Sequence, residues 1–287
     1  MSAEDTLRAV IARHGLSARK SLGQHFLLDP DLLARIVRAA GPLGGVRVIE
    51  VGPGPGGLTR ALLASEAAGV IAVEIDPRAV AAVAELRTRD PARLTIIEAD
   101  AATLDLASLV AAPRAIIANL PYNIGTALLV DWLTQAASFQ VMVLMFQAEV
   151  AQRIVASAGD AAYGRLAVLA GLTVQADIVM RVPASAFAPP PKVESAVVRL
   201  TPRAGAPERV VLEVVARITA AAFGQRRKML RASLRAIDAV SLLDVAGIDP
   251  QRRAETVPPE AYLAMAQHAM AVGHGIAMPA AARQFRA

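Results

Sequence analysis

The chain has 287 residues, of which 55% are hydrophobic and 19% are charged, and it contains no cysteine. This length and composition predict one large globular domain, or a large and a small one. They exclude a disordered chain, a disulfide framework and a thiolate metal site. The formal net charge of +5 is uneven, since residues 190–287 hold 14 Lys and Arg against 8 Asp and Glu, whereas residues 1–189 hold 16 against 17. A basic final third fits a nucleic-acid-binding domain, although ordinary surface charge explains it as well.

The first 45 residues predict two helices, over 4–14 and 30–40, joined by a basic segment that ends in GQHFLLD. The N-terminus carries acidic residues early and lacks a long apolar core, so it does not read as a secretory signal. Asp29 or Asp31 can cap the second helix, with Pro30 at its start.

From Val46 onward, apolar β-branched runs alternate with segments of helical spacing. This alternation predicts a Rossmann-like, mostly parallel sheet of seven strands over 46–203. A short loop separates the last two strands, which predicts antiparallel pairing there. The predicted strands lie at 46–51, 70–75, 94–99, 115–119, 139–146, 174–182 and 193–200. The predicted helices lie at 57–66, 77–89, 103–109, 124–136 and 147–157.

A linker-like run at 203–207 ends this α/β pattern, and the spacing then becomes helical. We predict a small all-α domain over 208–272, with its last helix over 259–271, and a mobile tail over 273–287. The uncharged run 261–282 has too much alanine and too many helix breakers for a membrane span.

A glycine-rich turn, GPGPGG, follows the first strand of the α/β domain. It begins at Gly52, and the next strand ends at Glu74, an acid placed to accept hydrogen bonds from ribose hydroxyls. The letters also fit the fingerprint of a nicotinamide or flavin cofactor. However, Pro53 and Pro55 lack the N–H groups that a pyrophosphate needs, and Glu50 suits a cationic amino group. These details favour S-adenosylmethionine, which has no phosphate; a turn that merely closes a βα unit remains open.

Polar side chains stand at the ends of four consecutive strands: Glu50, Glu74, Asp100 and Asn119. The carboxyl ends of parallel strands meet at one edge of a sheet, so one crevice should hold all four. Asp100 could accept a hydrogen bond from an adenine amino group. Helix capping explains a single acid of this kind, but it explains four in register poorly.

The segment Asn119-Leu120-Pro121-Tyr122 is the most specific feature of the sequence. An aromatic amine such as adenine N6 is a poor nucleophile, because its lone pair is delocalised into the ring. The Asn119 side-chain oxygen and the Leu120 carbonyl can both accept from this amine, orienting its lone pair towards a methyl group. Pro121 fixes the turn, and Tyr122 can stack on the base. An Asn-Pro-type turn without function is the alternative.

These motifs together resemble the ribosomal RNA adenine dimethyltransferases, and the resemblance covers about residues 17–268. It is closest to the bacterial enzymes that dimethylate two adjacent adenosines near the 3′ end of small-subunit rRNA. The motifs that carry it are GQHFLLD (23–29), EVGPGPGGLT (50–59), VEID (73–76), EAD (98–100), NLPYNI (119–124), FAPPPKVESAVV (187–198) and FGQRRKMLRASL (223–234). NLPYNI and FAPPPKVES are highly specific, whereas the glycine turn alone is not.

The resemblance implies a class I methyltransferase fold with a small helical C-terminal domain. It implies that Phe187 stacks on the opposite face of the target adenine from Tyr122. The first 45 residues would cover the donor, and we expect no metal. Position 25 is often Asn in such enzymes, so the contact that His25 makes is open. The residues implied to contact the donor, S-adenosylmethionine, are His25, Leu27, Gly52, Glu74, Asp100 and Asn119.

The basic run in the last third predicts a helix over 225–237 that grips rRNA phosphates. Its predicted RNA-binding residues are Arg226, Arg227, Lys228 and Arg231; a solvated charged face is the alternative. We expect a cytoplasmic monomer that acts on the small ribosomal subunit and binds no membrane. Other functions also remain open: a methyltransferase for large-subunit rRNA or DNA adenine, a ribosome-assembly factor whose binding role dominates, and a nicotinamide oxidoreductase.

Overall fold

A computed structural model describes residues 6–16, 25–88 and 90–272. They form two compact units, which we call the α/β unit and the helical unit. The α/β unit comprises the residues up to Leu128 together with Ser138–Ala151 and Asp177–Thr201. The helical unit comprises Leu129–Ala137, Gln152–Ala176 and the residues from Pro202 onward. The units interleave along the chain, whereas the predicted domains are consecutive segments. Those domain bounds stay a prediction, and the predicted tail over 273–287 lies outside the described residues.

Nine strands are described: β1 (Phe26–Leu27), β2 (Arg47–Val51), β3 (Gly69–Glu74), β4 (Leu94–Glu98), β5 (Arg114–Asn119), β6 (Val141–Gln147), β7 (Val174–Val182), β8 (Phe187–Ala188) and β9 (Ser195–Pro202). The described α-helices are α1 (Leu7–Arg13), α2 (Pro30–Arg38), α3 (Gly57–Leu63), α4 (Pro77–Arg87), α5 (Gly125–Leu133), α6 (Ala148–Val155), α7 (Arg165–Thr173), α8 (Arg209–Phe223), α9 (Leu230–Ser233), α10 (Ala239–Val245) and α11 (Pro259–Ala271). No helix among these residues is both long enough and apolar enough to cross a membrane.

Seven strands form one sheet in the order β4-β3-β2-β5-β6-β9-β7. The pairs from β4 to β6 are parallel, and β9 runs antiparallel to β6. Every residue of β3 is buried, as is all of β2 after its first residue. Burial on both faces explains why these strands read as mostly apolar runs. The predicted fold class is therefore confirmed.

Side-chain caps fix where helices α2 and α4 begin. The Asp29 side chain accepts from the amides of Asp31 and Leu32, and Pro30 is the first residue of α2. Asp76 caps α4 in the same way, accepting from the Arg78 amide. Proline suits the first helical position, because its missing N–H would be unpaired there anyway.

The predicted helix over 225–237 is wrong. Met229 has an extended backbone, with φ −66° and ψ 151°, and α9 that follows it has only four residues. The Leu230 amide donates to the Arg252 carbonyl at 2.8 Å, and the Arg231 amide donates to the Pro250 carbonyl at 3.1 Å. These tertiary bonds take two donors that a continuous helix would use, so arginines four residues apart do not share one helical face here.

Two other element predictions also differ from the structure. The predicted helix over 103–109 is replaced by two 3-10 turns, Ala101–Thr103 and Leu106–Ser108. Helix α7 has no counterpart in the prediction. It is almost uniformly apolar and mostly buried, so it lacks the polar face that marks a surface helix.

Candidate active site

The turn after β2 depends on glycines in the left-handed backbone region. Gly52 has a φ of 71° and Gly54 a φ of 54°, values that strain a side-chain-bearing residue. A Cβ on Gly54 would lie 3.1 Å from the Phe26 ring, so β1 approaches this turn closely. The Gly54 amide donates to Glu74 Oε2 at 3.2 Å. This bond fastens the glycine turn to the end of β3.

A cavity lies beside the glycine turn at the carboxyl ends of β2, β3 and β5. The strand order changes direction between β2 and β5, which is where open α/β sheets bind their ligands. Leu120, Pro121 and Tyr122 line the cavity. It is also lined by every residue implied to contact the donor: His25, Leu27, Gly52, Glu74, Asp100 and Asn119.

Glu50 is a buried carboxyl group on the wall of this cavity, with 1% of its surface exposed. Neither of its oxygens makes a hydrogen bond of normal length and angle among the described residues, although Thr59 lies close enough to favour the charged form. Burial is the main reason that the pKa of Glu50 rises to about 8; Thr59 counteracts part of the shift, and the nearby Glu74 carboxylate adds to it. A buried carboxyl without a partner is costly unless a ligand supplies one.

Glu74 and Asp100 combine structural bonds with free acceptor capacity. Glu74 Oε1 accepts from the Ile75 and Asp76 amides, both at 2.9 Å. Burial raises the pKa of Glu74, and its three backbone bonds counteract part of the shift. A carboxylate offers about four lone pairs, so Glu74 can accept one more donor. Asp100 caps the next turn through Oδ1, which accepts from Ala102 at 2.9 Å, and its second oxygen remains for a ligand.

Asn119 is oriented by a contact with the N-terminal segment. Its Nδ2 donates to the His25 carbonyl at 3.3 Å, so Oδ1 is the atom left to accept from a ligand. The Pro121 carbonyl accepts from Ile124 at 3.2 Å and from Gly125 at 3.0 Å. These bonds turn the chain directly into α5 and hold the Asn119 segment at the cavity.

Three aromatic side chains, His25, Tyr122 and Phe187, form a cluster close to Asn119. Tyr122 Oη lies 2.6 Å from Ser195 Oγ, which fixes its ring. The His25 ring stacks on Tyr122, with centroids 5.5 Å apart, and lies edge-on to Phe187 at 6.4 Å. Phe187 is buried in β8, which pairs antiparallel with β1 and places Leu27 opposite Phe187. The structure therefore brings all the predicted catalytic residues to one edge of the α/β unit.

Comparison with known proteins places this geometry in a family. The model of the ribosomal RNA adenine dimethylase family matches residues 15–270. The chain belongs to that family. A ribosomal RNA small subunit methyltransferase A from Rhodopseudomonas palustris (strain TIE-1) is 57% identical over 275 residues, which cover 93% of this chain and 96% of the relative. The protein of the same name from Gluconobacter oxydans (strain 621H) is 52% identical, over 91% of this chain and 86% of the relative.

Two solved structures of similar fold are named as a dimethyladenosine transferase and an rRNA methyltransferase. A dimethyladenosine transferase from Plasmodium falciparum superposes with a TM-score of 0.72 at 25% identity, covering 87% of this chain and 99% of that one. The 23S rRNA methyltransferase ErmE gives a TM-score of 0.66 at 30% identity, covering 85% and 98%. The predicted family, ribosomal RNA adenine dimethyltransferase, is thus confirmed.

The groups of the cavity fit S-adenosylmethionine, the methyl donor of this dimethylase family. The unpaired Glu50 carboxyl suits a cationic α-amino group. The free acceptors on Glu74 and Asp100 suit hydroxyl and amino donors. Ile75 lines the cavity and is 56% exposed, so it offers an apolar face to a purine. Sequence reasoning passed over Ile75, although an isoleucine between two acids at a strand end was a usable signal.

The predicted RNA-binding residues lie in the helical unit of the dimethylase. Arg227, Lys228 and Arg231 are exposed. Arg226 is partly committed to structure, because its Nη2 donates to the Tyr163 carbonyl at 3.1 Å and its guanidinium lies 5.9 Å from the Phe223 ring centroid.

A second basic run, Arg252 and Arg253, adjoins the predicted one. The two backbone bonds from Leu230 and Arg231 to residues 250–252 place it there. Sequence reasoning missed these arginines, although the letters QRR at 225–227 recur at 251–253. Arg252 is held by the Thr256 carbonyl and hydroxyl. Arg253 is exposed and adds its charge to that of Arg227, Lys228 and Arg231.

Proposed function

We propose that the protein dimethylates N6 of two adjacent adenosines near the 3′ end of small-subunit rRNA. S-adenosylmethionine, when bound, supplies the methyl groups. The close relatives named small subunit methyltransferase A support this choice of substrate, and the resemblance of NLPYNI and FAPPPKVES to the family supports the two-adenosine product.

The orientation of the Asn119 amide carries the chemical part of the proposal. Its Nδ2 is occupied by the His25 carbonyl, so Oδ1 can accept a hydrogen bond from a target N6 amine. The Leu120 carbonyl is the second acceptor. Two acceptors in one plane turn the nitrogen lone pair out of that plane and stabilise the positive charge that develops on nitrogen. The methylated amine can then lose its proton to water, so a dedicated base is not required.

The second methyl transfer places a different demand on the site. A monomethylated amine keeps one N–H, which can satisfy one of the two acceptors at Asn119 and Leu120. Stacking on Tyr122 and Phe187 must then hold the base. The Tyr122 ring is fixed by its bond to Ser195, which suits it to this task.

The basic surface of the helical unit is proposed to grip rRNA phosphates. Phosphate contacts orient a nucleic acid without selecting its sequence, so base choice would fall to the Asn119 pocket. We propose the small ribosomal subunit or its precursor as the partner, with the protein acting as a cytoplasmic monomer and binding no membrane.

Mass spectrometry of the RNA product tests this proposal. Small subunits that lack the modification are incubated with the protein and S-adenosylmethionine, and the rRNA is digested. We expect two adjacent N6,N6-dimethyladenosines near the 3′ end. A product that stops at monomethyladenosine after long incubation contradicts the two-step account. Modification of large-subunit rRNA instead would favour the activity named for ErmE, to which the chain is also similar.

A further inference from the structure

The imidazole of His25 contacts both aromatic side chains that the proposed function assigns to the target adenine. It is stacked on Tyr122, with the ring planes inclined by 29°, and it meets Phe187 edge-on at 83°. Both arrangements are favourable for aromatic pairs. One face of Tyr122 is therefore covered by a flat heteroaromatic ring, although the family resemblance implies that a purine stacks on Tyr122.

The His25 backbone is fixed on two sides. Its carbonyl accepts from Asn119, and the next two residues, Phe26 and Leu27, pair with β8. Neither contact involves the imidazole, so the ring can rotate away from Tyr122 while the backbone and β1 stay in place.

The His25 ring itself is held by weaker contacts. Its Nδ1 lies 2.8 Å from the Pro189 carbonyl oxygen. A carbonyl can only accept, so Nδ1 carries the proton and donates. One hydrogen bond and one stacking contact are modest interactions, and together they amount to roughly a tenfold to hundredfold preference for the observed position. An incoming base can outweigh them.

We propose that the His25 imidazole occupies the target-base position on Tyr122 and that the adenine displaces it on entry. This inference rests on the proposed function, since it requires a target base. The imidazole keeps the Tyr122 face covered until an adenine offers a larger stacking surface together with hydrogen bonds to Asn119. Displacing the ring therefore offsets part of the free energy that the adenine gains when it binds.

Two substitutions separate the ring from its hydrogen bond. His25→Asn removes the ring, while its amide can still donate to the Pro189 carbonyl. His25→Phe keeps a ring over Tyr122 and removes the donor. If the ring competes with the base, His25→Asn should bind the target more tightly than wild type, and His25→Phe should bind it no more tightly. If the ring is a fixed wall of the base pocket, His25→Asn should bind the target less tightly.

Equilibrium binding to small subunits gives the decisive measurement. Each protein is titrated with unmodified subunits and with subunits that carry uridine in place of both target adenosines. The dissociation constant for the uridine subunits is divided by that for the unmodified subunits. This ratio isolates the contribution of the base from that of the phosphates. We expect this ratio to rise about tenfold in His25→Asn, and a urea unfolding midpoint equal to that of wild type shows that the fold is intact.

A ratio for His25→Asn that is unchanged or lower overturns the proposal. Wild-type methylation of unmodified subunits is measured in the same samples. If the wild-type protein transfers no methyl group, the proposed function fails and the inference fails with it. If the wild type methylates and the ratio does not rise, the inference about His25 alone fails.

Discussion

Glu50 should make the ligand-free protein less stable as the pH rises. Its pKa is about 8 in the folded protein against 4.5 for a free side chain. Below pH 4.5 the carboxyl is protonated in both states and has no effect. Between the two values the unfolded chain ionises while the folded protein holds the proton, so each rise in pH favours unfolding. Above pH 8 the full cost of burying the charge is present.

The size of this effect follows from the two pKa values. The pKa of Glu50 is 4.5 in the unfolded chain and about 8 in the folded protein. This difference lowers the unfolding free energy by about 2–3 kcal/mol between pH 5 and pH 7. Glu50→Gln keeps the shape of the side chain and removes the titrating group. The variant should therefore gain about 2–3 kcal/mol relative to wild type over that interval.

Urea unfolding of the ligand-free proteins at pH 5, 6 and 7 measures this difference directly. Groups elsewhere in the chain titrate in both proteins, so their contributions cancel in the comparison. If the unfolding free energies of wild type and Glu50→Gln change in parallel with pH, the carboxyl is not held protonated, and the argument from burial is refuted. Thr59 lowers the pKa of Glu50, so a Thr59→Val variant should keep the pH dependence of wild type or steepen it.

Three further predictions concern the donor, the chemistry and the RNA. Glu74→Ala and Asp100→Ala should each weaken S-adenosylmethionine binding by roughly 1.5–3 kcal/mol in calorimetry, since each removes a charged hydrogen bond. Asn119→Ala should lower the single-turnover methylation rate by roughly 10²-fold or more at saturating donor and RNA, since one oriented acceptor is removed. Arg227→Ala combined with Arg231→Ala should weaken binding to small subunits. The slope of its salt dependence should flatten by roughly 0.7–0.9 for each phosphate that the variant no longer neutralises.

Each of these predictions has a result that contradicts it. Wild-type donor affinity in both acid variants would remove the two acids from the donor site, and tight NADH binding would contradict the cofactor assignment itself. An unchanged single-turnover rate would remove Asn119 from the chemistry. Arg47 is exposed at the first residue of β2, at the opposite end of that strand from the cavity, so Arg47→Ala is a control for the loss of one positive charge. Equal salt slopes for this control and the double variant would mean that Arg227 and Arg231 contact no phosphate.

The sheet and the cavity could be predicted because their signals are local. Strands β2 and β3 are mostly apolar because both of their faces are buried, and the acids near their carboxyl ends, Glu50 and Glu74, fall at one edge by the geometry of parallel strands. Glu50, Glu74 and Asn119 could therefore be assigned to one crevice before their surroundings were known.

The remaining features depend on contacts between distant segments. The pairing of Phe26 with Ala188 joins two-residue strands that carry no pattern of their own, so the position of His25 over Tyr122 could not be predicted. The basic helix over 225–237 was predicted from arginine spacing, and it fails because Leu230 bonds to the backbone of residue 252. A charge pattern records composition along the chain, but not which carbonyl accepts each amide.

We propose above that the Asn119 pocket methylates adenine in small-subunit rRNA. Transfer of labelled methyl groups from S-adenosylmethionine tests it most directly, with unmodified small subunits, large-subunit rRNA and DNA offered in parallel. We expect four methyl groups per small subunit, none on the other two substrates, and a much slower transfer by Asn119→Ala. Labelling of large-subunit rRNA or DNA in preference to small subunits, or equal rates with and without the Asn119 side chain, would contradict it.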